Sequence, residues 1–174
     1  VSWIKKNLPH KNSIKTFIPG ENISFLGRNY NLEHTPMARA GVSIDENKIQ
    51  VSGEIDYFAR RVGDFIKREF LEYAFKESHH MAEILGVTVG RITLRDQRTR
   101  WGSCTSDGNI ALSWRLALAP KAMIDYVIAH EICHLKEMNH SVRFWNLIYQ
   151  VYNEDIAKAK LWLKENAYLL YSYK

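Results

Sequence analysis

This sequence lacks the features that mark a membrane or secreted protein. No run reaches the roughly 18 consecutive apolar residues that a membrane-spanning helix needs. The first residues lack the apolar core and small-residue cleavage site of a secretory signal. Cysteine is scarce as well: Cys104 and Cys133 could form at most one disulfide, which excludes a disulfide-dependent scaffold. We therefore expect a soluble, cytoplasmic protein that does not associate with a membrane.

Internal repeats and low-complexity segments are also lacking, which excludes repeat arrays and long disordered tails. A length of 174 residues suits one hydrophobic core. We therefore predict a single domain over residues 1–174, with a sheet in residues 1–53 and a helical part in residues 54–174. Because the chain opens at Val1 in amphipathic sequence, we expect that residues are missing before it.

Alternating polar and apolar residues predict two β-hairpins near the start of the chain. Turn-forming residues separate the members of each pair, and the predicted strands are residues 23–26, 30–34, 41–44 and 48–51. They predict a small antiparallel sheet. Residues 3–8 and 14–18 mix lysines with apolar side chains and are interpreted as a docked arm.

After Gly53 the hydrophobic period changes from about 2 to about 3.6, which indicates a long helix that ends at Gly86. Its apolar side chains are interpreted as core, and they are Ile55, Phe58, Val62, Phe65, Ile66, Leu71, Phe75 and Ile84.

The second half of the chain is predicted to form strands in residues 87–94 and 110–118, joined by an arginine-rich loop over residues 95–109. A helix should begin at Pro120. Backbone N–H groups in the first turn of a helix have no partner within the helix, so proline loses no hydrogen bond there. One or two amphipathic helices are expected after Ser141.

The helix after Pro120 contains the motif H-E-x-x-H, formed by His130, Glu131 and His134. Residues four apart in a helix differ by about 40° of rotation, so both imidazoles leave one face and can bind one ion. Glu131 lies on the flank of that face, where it can reach the reacting water without taking a coordination position. Apolar neighbours on both sides favour a buried metal helix over two exposed histidines. The motif predicts a zinc-dependent hydrolase with Glu131 as its general base.

A catalytic zinc ion usually has three protein ligands, and two residues compete to be the third. His140 can reach the ion if the helix stops after His134, and Asn139 could end it in a left-handed conformation. Glu154 belongs to an Asn-Glu segment that resembles the downstream ligand segment of gluzincins. The spacing alone leaves both alternatives open.

Further motifs occur in a fixed order along nearly the whole chain. They comprise Trp3-Ile4, Leu26-Gly27-Arg28-x-Tyr30, Arg100-Trp101-Gly102-Ser103-Cys104, residues 110–116, His130-Glu131-x-x-His134-Leu135, Asn139-His140-Ser141, Phe144-Trp145 and Trp162-Leu163-Lys164. Together they resemble the YgjP-like metallohydrolase family, which is similar to the SprT-like and minigluzincin peptidases. The resemblance implies an α+β, zincin-like fold, with a small antiparallel or mixed sheet packed on a long helix and on the H-E-x-x-H helix. It also implies that His140 is the third ligand of one zinc ion.

Arginines cluster around the loop before the metal helix, in a chain with a net charge of +5. Guanidinium groups bind carboxylate or phosphate oxygens in bidentate fashion. We therefore expect Arg98, Arg100 and Arg115 to bind substrate. Trp101 is expected to pack this loop over the sheet and to form one wall of the substrate cleft.

Three functional classes fit these residues. In a peptidase, the strand ending near Leu118 would pair with an extended substrate backbone. In a metal-dependent nucleotide phosphohydrolase, such as a pyrophosphatase, the arginines would hold phosphates. A zinc-containing module that binds nucleic acid is the weakest alternative, because a structural zinc site has no use for Glu131. The family resemblance favours a metallopeptidase that acts on a peptide or protein substrate.

Overall fold

Strands and helices follow one another in an α+β arrangement. In this computed structural model, residues 14–38, 41–97 and 99–174 are described. The elements in these ranges are β1 (Asn22–Phe25), β2 (Arg28–His34), β3 (Val42–Asp45), β4 (Lys48–Val51), α1 (Phe58–Leu85), β5 (Ile92–Arg95), β6 (Gly102–Cys104), β7 (Ile110–Ser113), α2 (Lys121–Cys133), α3 (Val142–Val151) and α4 (Ile156–Tyr171). Short 3-10 turns, Ile55–Tyr57 and Trp114–Leu118, precede α1 and α2. The predicted α+β class is confirmed.

The first sheet contains both predicted hairpins, in the strand order β1-β2-β4-β3. Leu26 and Gly27 form the first turn with positive φ angles of 47° and 79°, the geometry that favours a tight two-residue hairpin. β2 and β4 pair in parallel, so of the two expected arrangements, antiparallel or mixed, the sheet has the mixed one. β3 follows β2 in the sequence but lies at the edge of the sheet. β4, which pairs with β3, therefore lies beside β2.

The long helix α1 ends at Gly86 as predicted, and this glycine adopts a left-handed conformation. Its buried face differs from the predicted one. Phe58, Val62, Phe65 and Ile66 are buried, but Ile55, Leu71, Phe75 and Ile84 are exposed, and the remaining core positions are Phe70, Ala74, Met81, Ala82 and Leu85. At about 100° per residue the buried stripe therefore rotates around the helix. α1 packs against strands of both sheets and against α2 and α3, so different faces of the helix are buried along its length.

The second sheet has the order β5-β7-β6, with β7 paired in parallel to β5 and antiparallel to β6. β6 lies inside the segment that was predicted to be a loop. The predicted strand over residues 110–118 is too long, because it ends at Ser113 and residues 114–118 form a 3-10 turn that is buried throughout. Residues 87–89 are outside β5.

Buried side chains from both sheets and all of the named α-helices form one continuous cluster. The described part of the predicted arm is docked on the C-terminal end of the chain: Lys15 bridges to Tyr173, and the buried Phe17 stacks on the Tyr173 ring. Residues 1–13 lie outside the described residues. No helix in the described ranges combines the length and hydropathy of a bilayer-spanning helix.

Arg115 is fully buried, so the prediction that it binds substrate is wrong. Its Nε and Nη2 atoms donate to the carbonyl oxygen of Tyr173 at 2.9 and 2.7 Å, and its Nη1 atom donates to the carboxylate of Asp96. The guanidinium also lies against the rings of Trp114 and Tyr171. Arg115 therefore ties the turn before α2 to the segment that follows α4.

We predict that Arg115→Met lowers the free energy of unfolding by about 3 kcal/mol, because it leaves the Tyr173 carbonyl and the Asp96 carboxylate without this donor. Chemical denaturation of both proteins measures the difference. Metal content should stay unchanged. Unchanged stability together with a raised KM would instead make Arg115 a substrate-binding residue.

Candidate metal centre and active-site cleft

Helix α2 carries His130, Glu131 and His134 within its last turn and at its C-cap. The helix is buried on most sides, and Ala129, Ile132 and Cys133 are fully enclosed. One turn of helix separates the two imidazoles, and their Nε2 atoms lie 3.3 Å apart. The spacing in the sequence thus produces the predicted convergence.

His140 reaches the same point because α2 stops early. The helix ends at Cys133, and the backbone N–H groups of Leu135 and Lys136 close tight turns onto Ile132 and Cys133. Asn139 has no positive φ angle, so the predicted left-handed stop at this residue is wrong. Ser141 then caps α3, and its hydroxyl accepts from the backbone N–H of Phe144 at 3.3 Å. The return of the chain at this cap brings His140 Nε2 to 2.9 Å from His130 Nε2.

The three histidines form a group whose nitrogen atoms all lie within 4.8 Å of one another. Ligands about 2.0–2.1 Å from a tetrahedral ion are separated by about 3.3 Å, which is close to the spacing observed here. Glu154, the alternative third ligand, does not belong to this group. The arrangement therefore fits one metal ion that has three imidazole ligands and a further open position.

Phe144 packs against the rings of all three histidines. This fully buried side chain of α3 packs against the imidazoles of His130, His134 and His140, with ring centroids 4.7–4.9 Å away. The amphipathic helices expected after Ser141 do not by themselves predict this role. The signal for it is the position of Phe144 four residues after His140, as the third residue of the helix that Ser141 caps.

Hydrogen bonding and burial leave the imidazoles suited to metal binding. His134 Nδ1 lies 3.1 Å from the carbonyl oxygen of Glu137, which favours a proton on Nδ1 and a free lone pair on Nε2. Burial, reinforced by the neighbouring His134 and His140, lowers the pKa of His130 to about 3. Burial also lowers the pKa of His134. Neutral imidazole is the form that coordinates a cation.

Glu131 is buried with only 6% of its surface exposed, against the strand β6. A Cβ atom on Gly102 would lie 2.6 Å from Glu131 Oε1 and 2.7 Å from its Cγ, so only glycine permits this approach. Burial raises the pKa of Glu131 to about 7, and the positive charge of Arg100 opposes this shift. The carboxyl group is thus poised to exchange a proton near neutral pH. Sequence analysis did not identify Gly102 as a site residue, because the contact joins two distant segments.

Trp101 lies beside His130 and Glu131. Its ring stacks on Tyr171 with centroids 4.7 Å apart. With Tyr126, Leu163, His130 and Glu131 it lines a pocket of about 190 Å³, which we call the inner pocket. The pocket thus opens beside the general-base candidate and one metal-ligand candidate.

A second cleft of about 690 Å³, which we call the arginine cleft, is lined by Arg91, Arg95 and Arg100. Of the three arginines expected to bind substrate, Arg100 is therefore exposed in a cleft and close to Glu131, whereas Arg115 is buried. The third, Arg98, lies outside the described residues.

We predict that His140→Ala weakens the binding of a divalent metal ion by at least about 100-fold, because the ion loses one of three imidazole ligands. Elemental analysis and competition with a chelator measure this loss. His80→Ala, which removes an exposed histidine on α1, is the matched control and should bind metal like the unmodified protein. Unchanged metal affinity in His140→Ala would contradict the three-histidine site.

Comparisons with known proteins show the family of the chain. A search of curated proteins gave no significant match. The crystal structure of the metallopeptidase zymogen abylysin from Pyrococcus abyssi is similar to 52% of this chain and 93% of its own, with 22% sequence identity and a TM-score of 0.46. The profile of the family described as YgjP-like, metallopeptidase domain, matches residues 1–166. The chain therefore belongs to the YgjP-like metallopeptidase domain family, a family of metal-dependent hydrolases.

Proposed function

We propose that the chain holds one zinc ion through His130, His134 and His140 and hydrolyses peptide bonds with Glu131 as the general base. The convergence of three imidazole nitrogens within 4.8 Å, directly beside a buried carboxyl group, carries this proposal. Three nitrogen donors and an open position are typical of catalytic zinc sites. When bound, zinc supplies Lewis acidity, which makes water nucleophilic near neutral pH and polarises the carbonyl of the substrate.

Glu131 has the position and the acidity that a general base needs. Its carboxylate accepts a proton from the attacking water and then delivers this proton to the departing amine nitrogen. A raised pKa makes the carboxylate a stronger base, while Arg100 keeps enough of it ionised to act. Because Gly102 has no side chain, the Glu131 carboxyl group can lie directly against the β6 backbone.

The substrate backbone has a docking edge on β6. The predicted pairing strand, which ended near Leu118, cannot serve, because β7 is already paired on both sides. Trp101 and Thr105 flank β6, and their backbones bond to Ser113 and to Asn109, on either side of the paired Ser103. Since alternate residues of an antiparallel strand turn their N–H and C=O groups to opposite sides, those of Gly102 and Cys104 point to the open edge. An extended peptide added there would pass beside Glu131.

The other functional classes have less support. The phosphohydrolase alternative relied on a group of arginines that included Arg115. Arg115 is enclosed and bonds to Tyr173 and Asp96, so it does not face a substrate. A nucleic-acid module with a structural ion would have no use for the buried Glu131. A single domain over residues 1–174 and a cytoplasmic location both stay predictions; the continuous core of the described residues agrees with the first.

We predict that Glu131→Gln lowers kcat/KM for peptide hydrolysis by about 100- to 10,000-fold, because the amide cannot accept the proton of the attacking water. Zinc content and stability should be retained. The assay incubates the zinc-loaded protein with a peptide mixture and identifies new termini by mass spectrometry.

The matched control is Glu83→Gln, which alters an exposed carboxylate on α1 and should leave hydrolysis unchanged. Loss of zinc from Glu131→Gln would make Glu131 a ligand, and near-normal turnover would remove it as the base.

We predict that Gly102→Ala retains zinc but loses about 100-fold in kcat/KM, because the added methyl group displaces the Glu131 carboxyl group or β6. Steady-state kinetics and metal analysis separate the two effects. Gly63→Ala is the control, since its new Cβ atom would meet only the side chain of Phe17, at 3.7 Å. Wild-type kinetics in Gly102→Ala would show that this close approach is not needed for catalysis.

A further inference from the structure

Strand β6 separates the two clefts. Gly102 lines the inner pocket, and Ser103, the next residue, lines the arginine cleft. Successive residues of a strand face opposite sides of a sheet, which explains this division. A peptide paired on the open edge of β6 extends the same sheet. Its successive side chains would therefore point alternately to the face of the sheet that borders the inner pocket and to the face that borders the arginine cleft.

The two clefts differ in chemistry. Aromatic and aliphatic side chains, from Trp101, Tyr126 and Leu163, form much of the inner pocket, and its volume of about 190 Å³ accommodates one large apolar side chain. In the arginine cleft, Arg91 lies just before β5 and Arg95 at the end of β5, across β7 from β6, while Arg100 lies just before β6. Each cleft is thus matched to a different type of substrate side chain.

The positive charge of the arginine cleft is poorly compensated. Asp96 lines this cleft, but its carboxylate already accepts from the buried Arg115. Within the described ranges, no ion pair involves Arg91, Arg95 or Arg100. Three guanidinium groups facing one space attract a carboxylate and repel a lysine.

We propose that the enzyme selects extended peptide segments in which an acidic residue stands next to a large apolar residue, with the apolar side chain in the inner pocket and the acidic one in the arginine cleft. This specificity rests on the proposed peptidase function and on docking at β6. Nucleic acid is the other polyanion that such a cleft could attract. The peptide is favoured because the strand that bounds the arginine cleft also borders Glu131.

Three peptides that differ at one position test the proposal. Each contains leucine followed by glutamate, glutamine or lysine in an otherwise neutral sequence, and a second set reverses the order of the pair. For at least one order, kcat/KM should rank glutamate above glutamine and glutamine above lysine, with at least about tenfold between the extremes. Added salt should reduce this range, because it screens the charges.

Charge reversal gives the sharpest test. Arg95→Glu should reduce or invert the ratio of kcat/KM between the glutamate and lysine peptides, and Arg91→Glu should act in the same direction. The control Arg68→Glu introduces the same change of charge on the exposed face of α1, and it should keep the wild-type ratio. Binding of fluorescent peptides to zinc-loaded Glu131→Gln, followed by anisotropy, gives the same ranking without hydrolysis.

The outcomes separate this inference from the proposed function. If no peptide is hydrolysed, both fail. If all peptides are hydrolysed equally, only the inference is overturned. The same holds if Arg68→Glu changes the preference for glutamate as much as Arg95→Glu does. A further outcome also overturns the inference: the peptides show no charge preference, a single-stranded oligonucleotide binds, and Arg95→Glu abolishes that binding. The arginine cleft would then be a nucleic-acid site.

Discussion

The convergence of three imidazole rings on one point is the constraint on which the rest of the structure depends. Two of the rings come from one helix, but the third lies beyond its end, so α2 must stop within one turn of His134. The cap at Ser141 starts α3 at once and places Phe144 under all three rings. Burial makes the charged forms of His130 and His134 costly, while His140 is exposed. A cation is therefore the partner best suited to their lone pairs.

A second demand acts on the same helix. Glu131 is a carboxyl group in a largely buried position, which costs free energy when it is ionised. The chain tolerates this cost because Gly102 brings the β6 backbone against the carboxyl group while Arg100 supplies a nearby positive charge. A more exposed glutamate would cost less free energy to ionise, but it would be a weaker base. Stability and reactivity therefore place opposite demands on this residue.

Features set by neighbours in sequence could be predicted, and features set by distant contacts could not. The metal helix follows from the four-residue spacing of His130 and His134, and the hairpins and the end of α1 follow from local turn residues such as Gly86. β6 was missed because Gly102, Ser103 and Cys104 have no strand pattern of their own and become a strand only by pairing with β7. Arg115 was misassigned because an arginine enclosed by two aromatic rings and a carbonyl oxygen has the same local sequence signal as an exposed one. The assignment of His140 as the third ligand rests on the family resemblance and stays a proposal, since spacing alone left Glu154 open.

The walls of the cleft come from segments far apart in the chain, and their cohesion explains why the C-terminal helix matters to the site. Trp101 lies just before β6, Tyr126 on α2 and Leu163 on α4, yet they line one pocket. Tyr171 stacks on Trp101, and Arg115 bonds to the Tyr173 carbonyl just beyond it. The end of the chain is thus anchored by two contacts that do not themselves touch the three histidines. A loss of either contact would loosen α4 from β6, and the pocket beside Glu131 would lose its shape before the metal ligands were disturbed.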